Sequence, residues 1–543
     1  MSNIFPVRRL GSAGIVTDMH PSDIEDPAVF TAGVNVRFRN GRVSRAPAFR
    51  KVIALPFEPA HSTTIPPVSG GYDQIVLVSE NYDQIARLNG STFDSLTPLT
   101  GHIGSLDPQA VITSSLLGGV SYLNRDTHPP LFMAPTGSQY ATVPGWNTND
   151  RCKVLRAYKD QLIGLGITKG GVYYPTMVKW SDISGFGAPP ASWDPTITTN
   201  SAGENIVNDM EHVLVDGAPL RDSFILYCTS SVWVQDYVGG DFIYTFRKLF
   251  DGYGVINPNC ISQKGGQHFV FDKDDIYVHD GVSPRSIVDG RNKAFIFDSI
   301  DLSRKHLCFV DHDKKLSEIR FCYPSSDRLV GFINPTSGCN RAAVYNYDND
   351  TWAFDDIPNV VSSCSSAILS GVTWEEDLNV TWNEASGLFA STSGDETVLS
   401  LFLGRTDTAQ GLTAPRMYAV DVIDGGKAPY EIEPETLKPV FMERTGLDLD
   451  SLGKNLNQYV YLQEIWPQMS AEFPQDIYWQ FGANDLINRE PLWSDEMPFD
   501  PETEGKLDIN EAGKYLSFRF GLRGAGDFKL SGFDAQVVFR GRR

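Results

Sequence analysis

The sequence predicts an all-β protein, and three observations support this fold class. Short segments that alternate apolar and polar residues recur along the chain, as in QIARLNG and AAVYNYDND. Turn dipeptides such as Asn-Gly and Asp-Gly separate many of these segments. Between residues 61 and 370, apolar residues at the 3.6-residue spacing of a helix are nearly absent. Strands joined by tight turns therefore explain the pattern better than helices do.

Length and composition predict a folded protein with several domains. The chain has 543 residues, of which 41% are apolar, and it contains 48 glycines and 33 prolines. Single hydrophobic cores rarely exceed roughly 250–300 residues. We therefore expect an N-terminal hairpin segment or platform over residues 1–60, a propeller-like domain over 61–365, and an acidic β domain over 366–543. The last domain ends in a hairpin that can pack against the N terminus.

The first predicted element is a hairpin over residues 33–49, which read GVNVRFRNGRVSRAPAF. Apolar and polar side chains alternate over residues 34–39, which is the two-residue period of a half-buried strand. Asn40 and Gly41 follow, and both tolerate the positive φ of a two-residue turn. A second, basic strand is predicted after this turn.

The central region predicts a β-propeller of six to seven blades. Hairpin patterns occupy residues 74–96, 224–237, 268–287 and 341–358. At roughly 40–50 residues for each four-stranded blade, about 300 residues make six or seven blades. The spacing is irregular and no WD-type signature repeats, so stacked β-sandwiches are the alternative. Five dipeptides are predicted as turns: Asn89-Gly90, Asp216-Gly217, Asp251-Gly252, Asp280-Gly281 and Asp289-Gly290.

The C-terminal region predicts a second β domain that closes with an amphipathic hairpin. Residues 515–520 (YLSFRF) alternate strictly between apolar and polar side chains. A glycine-rich turn at 521–526 leads to a final strand region over 528–539. The two ends of the chain therefore carry similar strand pairs.

These two ends resemble one known family. The Gly-Val-Asn-Val-Arg-Phe strand, the Asn-Gly turn and the basic, Pro-containing strand are similar to the opening motif of the tail nozzle proteins of short-tailed bacteriophages, also called hub, tail tubular B or stabilisation proteins. The closing FKLSGFDAQVVFRGRR resembles the inner strand, Ser-Gly, apolar strand and basic end of the same proteins. The region between the two motifs matches the family in layout rather than in wording.

The resemblance implies a structural virion protein. It implies a homohexameric ring below the portal and its adaptor, which forms the tail tube for DNA ejection and carries tail fibres or spikes. It also implies synthesis in the bacterial host cytoplasm and passage of double-stranded DNA without specific binding. We expect the amphipathic end strands to hold neighbouring subunits together. The candidate assembly residues are Val34, Val36, Arg37, Phe38, Arg39, Leu516, Phe518 and Phe520.

Acidic residues are concentrated in one region. Residues 371–510 contain 26 Asp and Glu against 8 Lys and Arg, a net charge of −18 within a chain total of −21. Binding to phosphates needs clustered Lys and Arg, so we do not expect this region to bind DNA. The simple interpretation is a solvated, solubilising surface, and the functional one is a channel wall that repels DNA. The candidate channel residues are Asp448, Asp450, Asp495, Glu496, Glu502 and Glu504.

A sugar-binding or sugar-cleaving β-propeller protein is the alternative function. Trp180, Trp193, Trp233 and Trp352 could stack on pyranose rings. In a repeated β architecture, however, one Trp in each blade commonly fills the space between neighbouring blades. We therefore expect these tryptophans to pack in the core.

No enzyme, metal site or cofactor is predicted. The motifs HExxH, GxSxG, GxxxxGKS/T and CxxC and a complete GxGxxG are absent. The pairs Asp274-Asp275, Asp355-Asp356 and Glu375-Glu376 are adjacent, so strand geometry turns their side chains to opposite faces. Calcium-like spacing occurs at residues 311–313 and 348–350, but the turn glycine and distal Glu are missing, so hairpin turns are expected.

The remaining composition predicts a protein without a membrane span. No run of 18 apolar residues and no secretory signal is present. The seven cysteines are odd in number and at least fourteen residues apart, which favours buried free thiols from a reducing compartment. The nine histidines show no ligand spacing, and we expect them to be ordinary core or surface side chains.

Overall fold

The prediction of an all-β fold is confirmed. In this computed structural model, one α-helix and two 3₁₀ turns are the only helical elements among the described residues, and the other regular elements are strands. The structure describes residues 2–67, 73–90, 92–98, 102, 104–105, 107, 109–240, 243–326, 337–367, 398–407, 411–421, 439–447, 459–472, 477–487, 489–523 and 526–540.

Seven strands open the chain and are divided among different sheets. They are β1 (Ser2–Arg8), β2 (Gly14–Ile15), β3 (Val29–Phe30), β4 (Ala32–Val34), β5 (Val36–Arg39), β6 (Arg42–Arg45) and β7 (Ala48–Ala54). A 3₁₀ turn at Pro21–Asp23 separates β2 from β3, and these two strands form a small parallel pair.

Five consecutive antiparallel meanders of four strands follow. Sheet I contains β8 (Pro59–Ile65), β9 (Gln74–Ser79), β10 (Ile85–Asn89) and β11 (Thr92–Ser95). Sheet II contains β12 (Ile112–Leu117), β13 (Val120–Arg125), β14 (Leu131–Met133) and β15 (Ala141–Thr142). Sheet III contains β16 (Arg151–Tyr158), β17 (Gln161–Lys169), β18 (Val172–Trp180) and β19 (Gly203–Ile206). Sheet IV contains β20 (Leu214–Leu220), β21 (Ser223–Cys228), β22 (Ser231–Tyr237) and β23 (Tyr244–Asp251). Sheet V contains β24 (Ile261–Lys264), β25 (Gln267–Phe271), β26 (Ile276–His279) and β27 (Pro284–Ser286).

A seven-stranded sheet, the closing sheet, completes this part of the chain. It follows α1 (Lys293–Ser299) and a 3₁₀ turn at Leu302–Leu307. Its strands are β28 (Phe309–Asp313), β29 (Glu318–Tyr323), β30 (Cys339–Asn346), β31 (Thr351–Ala367), β32 (Val398–Gly404), β33 (Arg416–Asp421) and, at the far edge, β7. Within the described residues, no helix is both long and apolar enough to cross a membrane.

The sheets follow one another in a cyclic order. The first strands of sheets I to IV, which are β8, β12, β16 and β20, lie side by side. The first strand of sheet V, β24, contacts β28 of the closing sheet. Strand β31 of the closing sheet contacts β8 and so completes the cycle. The first part of β31 pairs with β30 and the second part with β32, so this strand is shared between two sheet units. The order is consistent with the blades of a propeller, and we call this unit the ring.

The remaining strands form a β-sandwich with the N-terminal strands. They are β34 (Val440–Leu447), β35 (Tyr459–Glu472), β36 (Ile477–Asn484), β37 (Leu492–Trp493), β38 (Met497–Pro498), β39 (Leu507–Gly513), β40 (Tyr515–Leu522) and β41 (Asp527–Arg540). Sandwich sheet A has the order β39-β35-β41-β6-β5, with β1 also paired to β41. Sandwich sheet B has the order β37-β36-β40-β34-β4, with β38 paired to β36.

Aromatic side chains fill the space between the two sandwich sheets. The ring centroids of Phe518 and Phe533 are 5.2 Å apart, those of Phe520 and Phe528 are 4.8 Å apart, and the ring of Trp479 lies 6.1 Å from that of Phe533. Full burial of such a side chain contributes roughly 1.5–3 kcal/mol. The alternation at residues 515–520 therefore identified the inner face of this sandwich.

The strand pairing corrects the predicted domain boundaries. β7 lies within the predicted segment 1–60 but belongs to the closing sheet, and β31 runs across residue 365. β32 and β33 were assigned to the acidic domain but also belong to the ring. The ring therefore spans 48–421, and the sandwich combines 2–45 with 440–540. Both units satisfy an edge strand with a partner from the other end of the chain, which local spacing does not reveal.

The predicted N-terminal hairpin is confirmed, but the strand before it is interrupted. Arg39 pairs with Arg42 around a turn in which Asn40 and Gly41 have φ values of 52° and 73°. Asn35 has a φ of 58°, in the left-handed region, and it ends β4 in sheet B before β5 begins in sheet A. One continuous sequence pattern thus supplies strands to both sandwich sheets.

Candidate functional site at the domain junction and the ring axis

Asn35 joins the sandwich to the ring through two hydrogen bonds, and a third bond ties it to the residue before β34 of the sandwich. Its backbone N–H donates to the carbonyl of Phe354 on β31 at 2.8 Å, and its Nδ2 donates to the carbonyl of Pro439 at 2.9 Å. Its Oδ1 accepts the backbone N–H of Asp356 at 2.9 Å. Asn tolerates the left-handed conformation that this position requires. The side chain therefore explains both the break in the strand and the contact with the ring.

Arg37 inserts a buried charge into the same junction. Its Nη1 and Nη2 donate to the two carboxylate oxygens of Asp355 at 2.6 and 2.5 Å, and its Nε donates to Glu318 at 2.8 Å. Burial alone would lower the pKa of Arg37, but the charges of Asp355 and Glu318 outweigh burial and raise this pKa above its ordinary value. The guanidinium is therefore permanently charged and its planar donors are well matched to carboxylates.

The ion-pair network continues through the closing sheet. Arg320 donates to Asp311 at 2.9 Å, to Asp313 at 3.0 Å and to Glu318 at 3.2 Å. Burial opposes the charged form of Glu318, yet Arg37, Arg320 and Arg39 together lower the pKa of this carboxyl below its usual range. Three arginines and four carboxylates thus share one largely buried site. We call this set the junction network: Arg37, Arg39, Asp311, Asp313, Glu318, Arg320 and Asp355.

The predicted assembly residues lie inside the chain. Val34, Val36, Arg37, Phe38, Leu516, Phe518 and Phe520 are at most 6% exposed, and the half-buried Arg39 bonds to Glu318. β40 pairs with β34 on one side and with β36 on the other, so it offers no free edge. The prediction that these side chains contact a neighbouring subunit is therefore wrong for the folded chain. Their periodicity identifies a buried face, which intramolecular strands cover.

The predicted channel residues lie on the surface where they are described. Asp448 and Asp450 fall outside the described residues. Asp495, Glu496, Glu502 and Glu504 are exposed in the segment around β38 and before β39. Arg523 donates to Glu496 at 2.5 Å, and the Asp500 N–H donates to Glu504 at 3.1 Å. These carboxylates form a solvated edge of the sandwich, and their place along a DNA channel stays a prediction.

A cavity of about 590 Å³ lies on the axis of the ring. Its wall takes residues from β8, β12, β16, β20, β24, β28 and β31. Hydroxyl groups are frequent in this wall: Ser62, Thr64, Ser114, Ser115, Ser362, Ser363 and Ser365. Many bond within the wall, as in the 3.1 Å contact between Ser62 Oγ and Ser362 Oγ. The cavity is therefore polar, with much of its hydrogen-bonding capacity already used.

One buried ion pair crosses this cavity wall and connects four sheet units. Arg156 on β16 donates from Nε and Nη2 to both oxygens of Asp216 on β20, each at 2.8 Å. The same guanidinium donates to Asn259, just before β24, at 3.0 Å and to the Ser114 carbonyl on β12 at 3.1 Å. Asp216 also accepts the Asn259 N–H at 3.0 Å. We call Arg156, Asp216 and Asn259 the axial pin.

Two titratable groups of the cavity wall, His61 and Cys364, have shifted pKa values. His61 Nε2 lies 2.9 Å from Ser114 Oγ, but burial and the Arg156 charge lower the pKa of His61 to about 3. Burial raises the pKa of the Cys364 thiol to about 11. An imidazole with so low a pKa is a weak base, and a thiol that stays protonated near pH 7 is a poor nucleophile. The geometry is suited to holding sheets together.

The sequence interpretation of the tryptophans is confirmed. Trp180, Trp193, Trp233 and Trp352 are at most 8% exposed. The Trp193 ring packs edge-on against Trp146 with centroids 4.7 Å apart. Their faces are therefore not available as a platform for a pyranose ring, and these side chains stabilise the packing of the sheets.

The acidic motifs also have structural partners. Asp355 faces Arg37, whereas its neighbour Asp356 lies 3.5 Å from Arg341, so the two carboxylates do point to opposite sides of β31. Asp350, with a φ of 52°, occupies the predicted turn. Asp274-Asp275 lies in the turn between β25 and β26, and Glu375-Glu376 falls outside the described residues. Within the described residues, no group of three or more His, Cys, Asp or Glu side chains could hold a metal ion.

The cysteines match the predicted pattern of free thiols. Six of the seven are buried and Cys364 is half-buried, and all seven are unpaired with one another. Burial raises the pKa of Cys228 to about 12 and that of Cys308 to about 12. Such thiols are unreactive near neutral pH.

Sequence reasoning missed the axial pin and, in the junction network, Glu318 and Arg320. Asp216-Gly217 was interpreted as a hairpin turn, but it lies inside β20 at an irregularity of register. A usable signal was present, because Arg156, Asp216 and Arg320 each directly follow an apolar residue within a strand. Charged residues are rarely buried unless they are paired, so each of them pointed to a partner that only the fold identifies.

Comparisons with known proteins add little to this geometry. No protein-family model and no curated protein matches the chain. One similar solved structure is PorZ, described as an essential bacterial surface component of the type-IX secretion system of Porphyromonas gingivalis. The two chains share 11% identity at a TM-score of 0.35, and the match covers 74% of this chain and 43% of PorZ. At this level the likeness supports no inference about function.

Proposed function

We propose that this chain is a structural subunit of the tail of a short-tailed phage virion, of the tail nozzle or hub type. The observation that carries the proposal is the position of the opening motif. Its Asn35 and Arg37 connect the sandwich to the ring through the hydrogen bonds and ion pairs described above. The residues on which the family resemblance rests therefore connect the two units of the fold, which supports a structural role for this hairpin.

In this proposal several copies, in a homohexameric ring, surround a path for double-stranded DNA. The subunit sits below the portal and its adaptor, and tail fibres or spikes attach to its side. The exposed carboxylates Asp495, Glu496 and Glu502 support a DNA-repelling surface, because like charges disfavour adhesion of the phosphate backbone. DNA passes without a specific binding site.

The protein acts without catalysis in this proposal. The charged groups at the ring axis and at the domain junction are bonded to one another, and the cavity histidine His61 is held neutral by burial. This pairing supports a scaffold role, because a catalytic acid or base must be able to form a hydrogen bond with a substrate.

The experiment that tests the proposal is imaging of the purified protein and of labelled virions. We expect a mass several times the 60.1 kDa of one chain and ring-shaped particles in negative stain. An epitope inserted at Gly505, an exposed position with open space around its Cα, should be labelled at the tail of intact particles. A monomeric protein that is absent from virions would overturn the proposal.

The alternative, a sugar-binding or sugar-cleaving propeller, has weaker support. The four tryptophans that suggested stacking on a pyranose ring are buried. A panel of capsule and lipopolysaccharide fragments would decide between the two functions, since binding or depolymerisation by the purified monomer would favour the alternative.

A further inference from the structure

Three buried side chains form a hydrogen-bonded chain between sheets IV and V. Tyr227 lies on β21 of sheet IV, and His268 and His279 lie on β25 and β26 of sheet V. Tyr227 Oη is 2.6 Å from His268 Nδ1 and 2.6 Å from His279 Nε2. His268 Nε2 is 2.9 Å from the carbonyl of Pro219 on β20. All three side chains are at most 2% exposed.

The partners at the two ends of the chain determine the position of every proton. The Pro219 carbonyl can only accept, so His268 Nε2 carries a hydrogen and Nδ1 accepts the hydroxyl hydrogen of Tyr227. The Gly281 N–H donates to His279 Nδ1 at 3.2 Å, so the hydrogen of His279 lies on Nε2 and is donated to Tyr227 Oη. The chain runs in one direction, from His279 through Tyr227 and His268 to Pro219.

An additional proton on either imidazole costs a buried hydrogen bond. A proton on His279 Nδ1 would face the N–H of Gly281, which is also a donor. A proton on His268 Nδ1 would face the Tyr227 hydroxyl, whose own hydrogen would then have no acceptor within the chain. A buried donor without a partner is costly. Protonation of His268 therefore leaves the Tyr227 hydroxyl hydrogen without an acceptor at the seam between the two sheets. Protonation of His279 places two donors against each other directly beside that seam.

The surroundings reinforce the neutral state of both imidazoles. The rings of Phe250 from β23 and of Tyr277 pack against His279, with centroids 5.3 and 5.9 Å from that of His279. The ring of Tyr253 packs in turn against Tyr277. The charged groups that face the site are Asp216 of the axial pin and Asp280 after β26. Burial lowers the pKa of His268 to about 4, although the bond to Pro219 and the charge of Asp216 oppose this shift. Burial and the neighbouring His268 lower the pKa of His279 to about 3, although the charge of Asp280 opposes this shift.

We propose that Tyr227, His268 and His279 form an acid-operated latch that holds sheet IV to sheet V and releases this seam when the pH falls. The seam between sheets II and III provides the internal comparison. It is bridged by Asn124, which donates to the carbonyl of Cys152 at 3.0 Å, and by Ser115, which donates to the carbonyl of Leu155 at 3.0 Å. Neither bridge contains a group that titrates between about pH 4 and 7.

Hydrogen exchange of the full-length protein tests the latch. Backbone exchange is measured at about pH 7.5 and about pH 5 and corrected for the intrinsic rate. Suppose that an imidazole has a pKa of about 4 in the closed seam and 6.5 in the opened one. Its protonation then makes the equilibrium constant for opening about thirtyfold larger at about pH 5 than at about pH 7.5. We expect peptides from β20–β21 and β25–β26 to gain at least tenfold in exchange, while peptides from β13 and β16 change much less.

Variants separate this latch from general acid sensitivity. The double variant His268→Gln/His279→Gln cannot be protonated and should lose the acid-induced opening of the IV–V seam. His312→Gln is the matched control, because His312 is half-buried on β28 beside Tyr347 and away from this seam. Equal exchange of the two seams at the lower pH in the unmodified protein, or full acid sensitivity in the double variant, would overturn the proposal. The unmodified protein decides the first comparison even if a variant does not fold.

Discussion

At the scale of single residues, the most informative side chains are polar groups within apolar strands. Asn35 and Arg37 look like the solvent-facing side of an amphipathic hairpin, because they alternate with valine and phenylalanine. In the fold, this polar face meets the closing sheet and its carboxylates. A polar face of a strand therefore indicates solvent or a buried ion-pair partner, and the two cases give the same period of two.

Removal of the Arg37 side chain should destabilise the protein strongly. Arg37→Ala leaves Glu318 and Asp355 buried with fewer partners, and loss of one partner of a buried ion pair costs about 3–5 kcal/mol. Urea unfolding followed by fluorescence measures the change. Arg42→Ala is the matched control, since Arg42 lies on the same hairpin but is exposed, and it should stay within about 0.5 kcal/mol. Equal stability of the two variants would contradict the buried-network interpretation.

Gly521 should not accept a side chain. A Cβ at this position would lie 2.1–2.5 Å from side-chain atoms of Tyr478, which covers β40 on the outer face of sheet B. We expect Gly521→Ala to displace this ring and to lower the free energy of unfolding by about 1–3 kcal/mol. Thermal unfolding provides the measurement, with Gly505→Ala as control because no atom lies within 4 Å of its Cβ position. An unchanged melting temperature for Gly521→Ala would show that the Tyr478 side chain can move aside without cost.

At the scale of elements, the two ends of the chain act as closing strands. β7 completes the closing sheet by pairing with β33, and β1 and β4 to β6 enter the sandwich beside the C-terminal strands. β40 and β41 are interior strands of the sandwich rather than free edges. Removal of a terminal segment consequently opens a core instead of trimming a surface.

Deletion of residues 511–543 should unfold the sandwich and leave the ring protected. The deletion removes β40 and β41, so β35 and β36 lose their main partners. Hydrogen exchange should show loss of protection over residues 459–484, while peptides from sheets II to V keep theirs. Deletion of 541–543 alone is the control. Retained protection at β35 would mean that the sandwich does not depend on its terminal hairpin.

At the scale of the whole molecule, buried titratable groups determine the response to pH. His61, His268 and His279 all have a pKa lowered mainly by burial, to about 3, about 4 and about 3. Each imidazole therefore supports the fold above its unfolded value of 6.5, and this support is lost as the pH falls from 6.5 toward the folded value. Asp272 acts in the opposite sense, since burial raises its pKa to about 6 and penalises the fold as the pH rises above 3.8.

The three histidines should outweigh Asp272 and the other carboxyl groups whose pKa is raised by burial. We expect the melting temperature to fall between about pH 7 and about pH 5, with proton uptake on unfolding. Calorimetry over a pH series measures both quantities. His61→Gln should flatten the profile by about one proton, whereas the exposed His20→Gln should leave it unchanged. A melting temperature that rises on acidification over this range would show that Asp272 and other carboxylates dominate.

The exposed carboxylates of the sandwich should affect the passage of DNA rather than folding. Under the proposed function, changing Asp495, Glu502 and Glu504 to Asn or Gln should slow DNA release from particles, most clearly at low salt, because screening extends over about 8–10 Å at physiological ionic strength. Single exposed charges contribute little to stability, so assembly should be near normal. Exchange of Asp160, Asp222 and Asp251, which are exposed on the ring, provides the control. Unchanged release across a salt series would assign these carboxylates to ordinary surface.

The sequence by itself determined the fold class, the turn at residues 40–41, the inner face of residues 515–520 and the burial of the tryptophans. Each of these follows from a local rule: a period of two, a dipeptide that tolerates positive φ, or a large apolar side chain. Local rules suffice there because the cause and its structural effect lie within a few residues of each other.

Only the tertiary structure decided which strands pair across the chain and what covers each polar face. Arg37 and Asp355 are 318 residues apart, and Arg156 and Asn259 are 103 apart. The domain boundary near 365 and the subunit contact predicted for the buried side chains of the end strands were wrong for the same reason. A strand edge and a buried charge both require a partner. The partner must be near in space but can be anywhere in the sequence. The sequence therefore shows that a partner is needed without showing which residue it is.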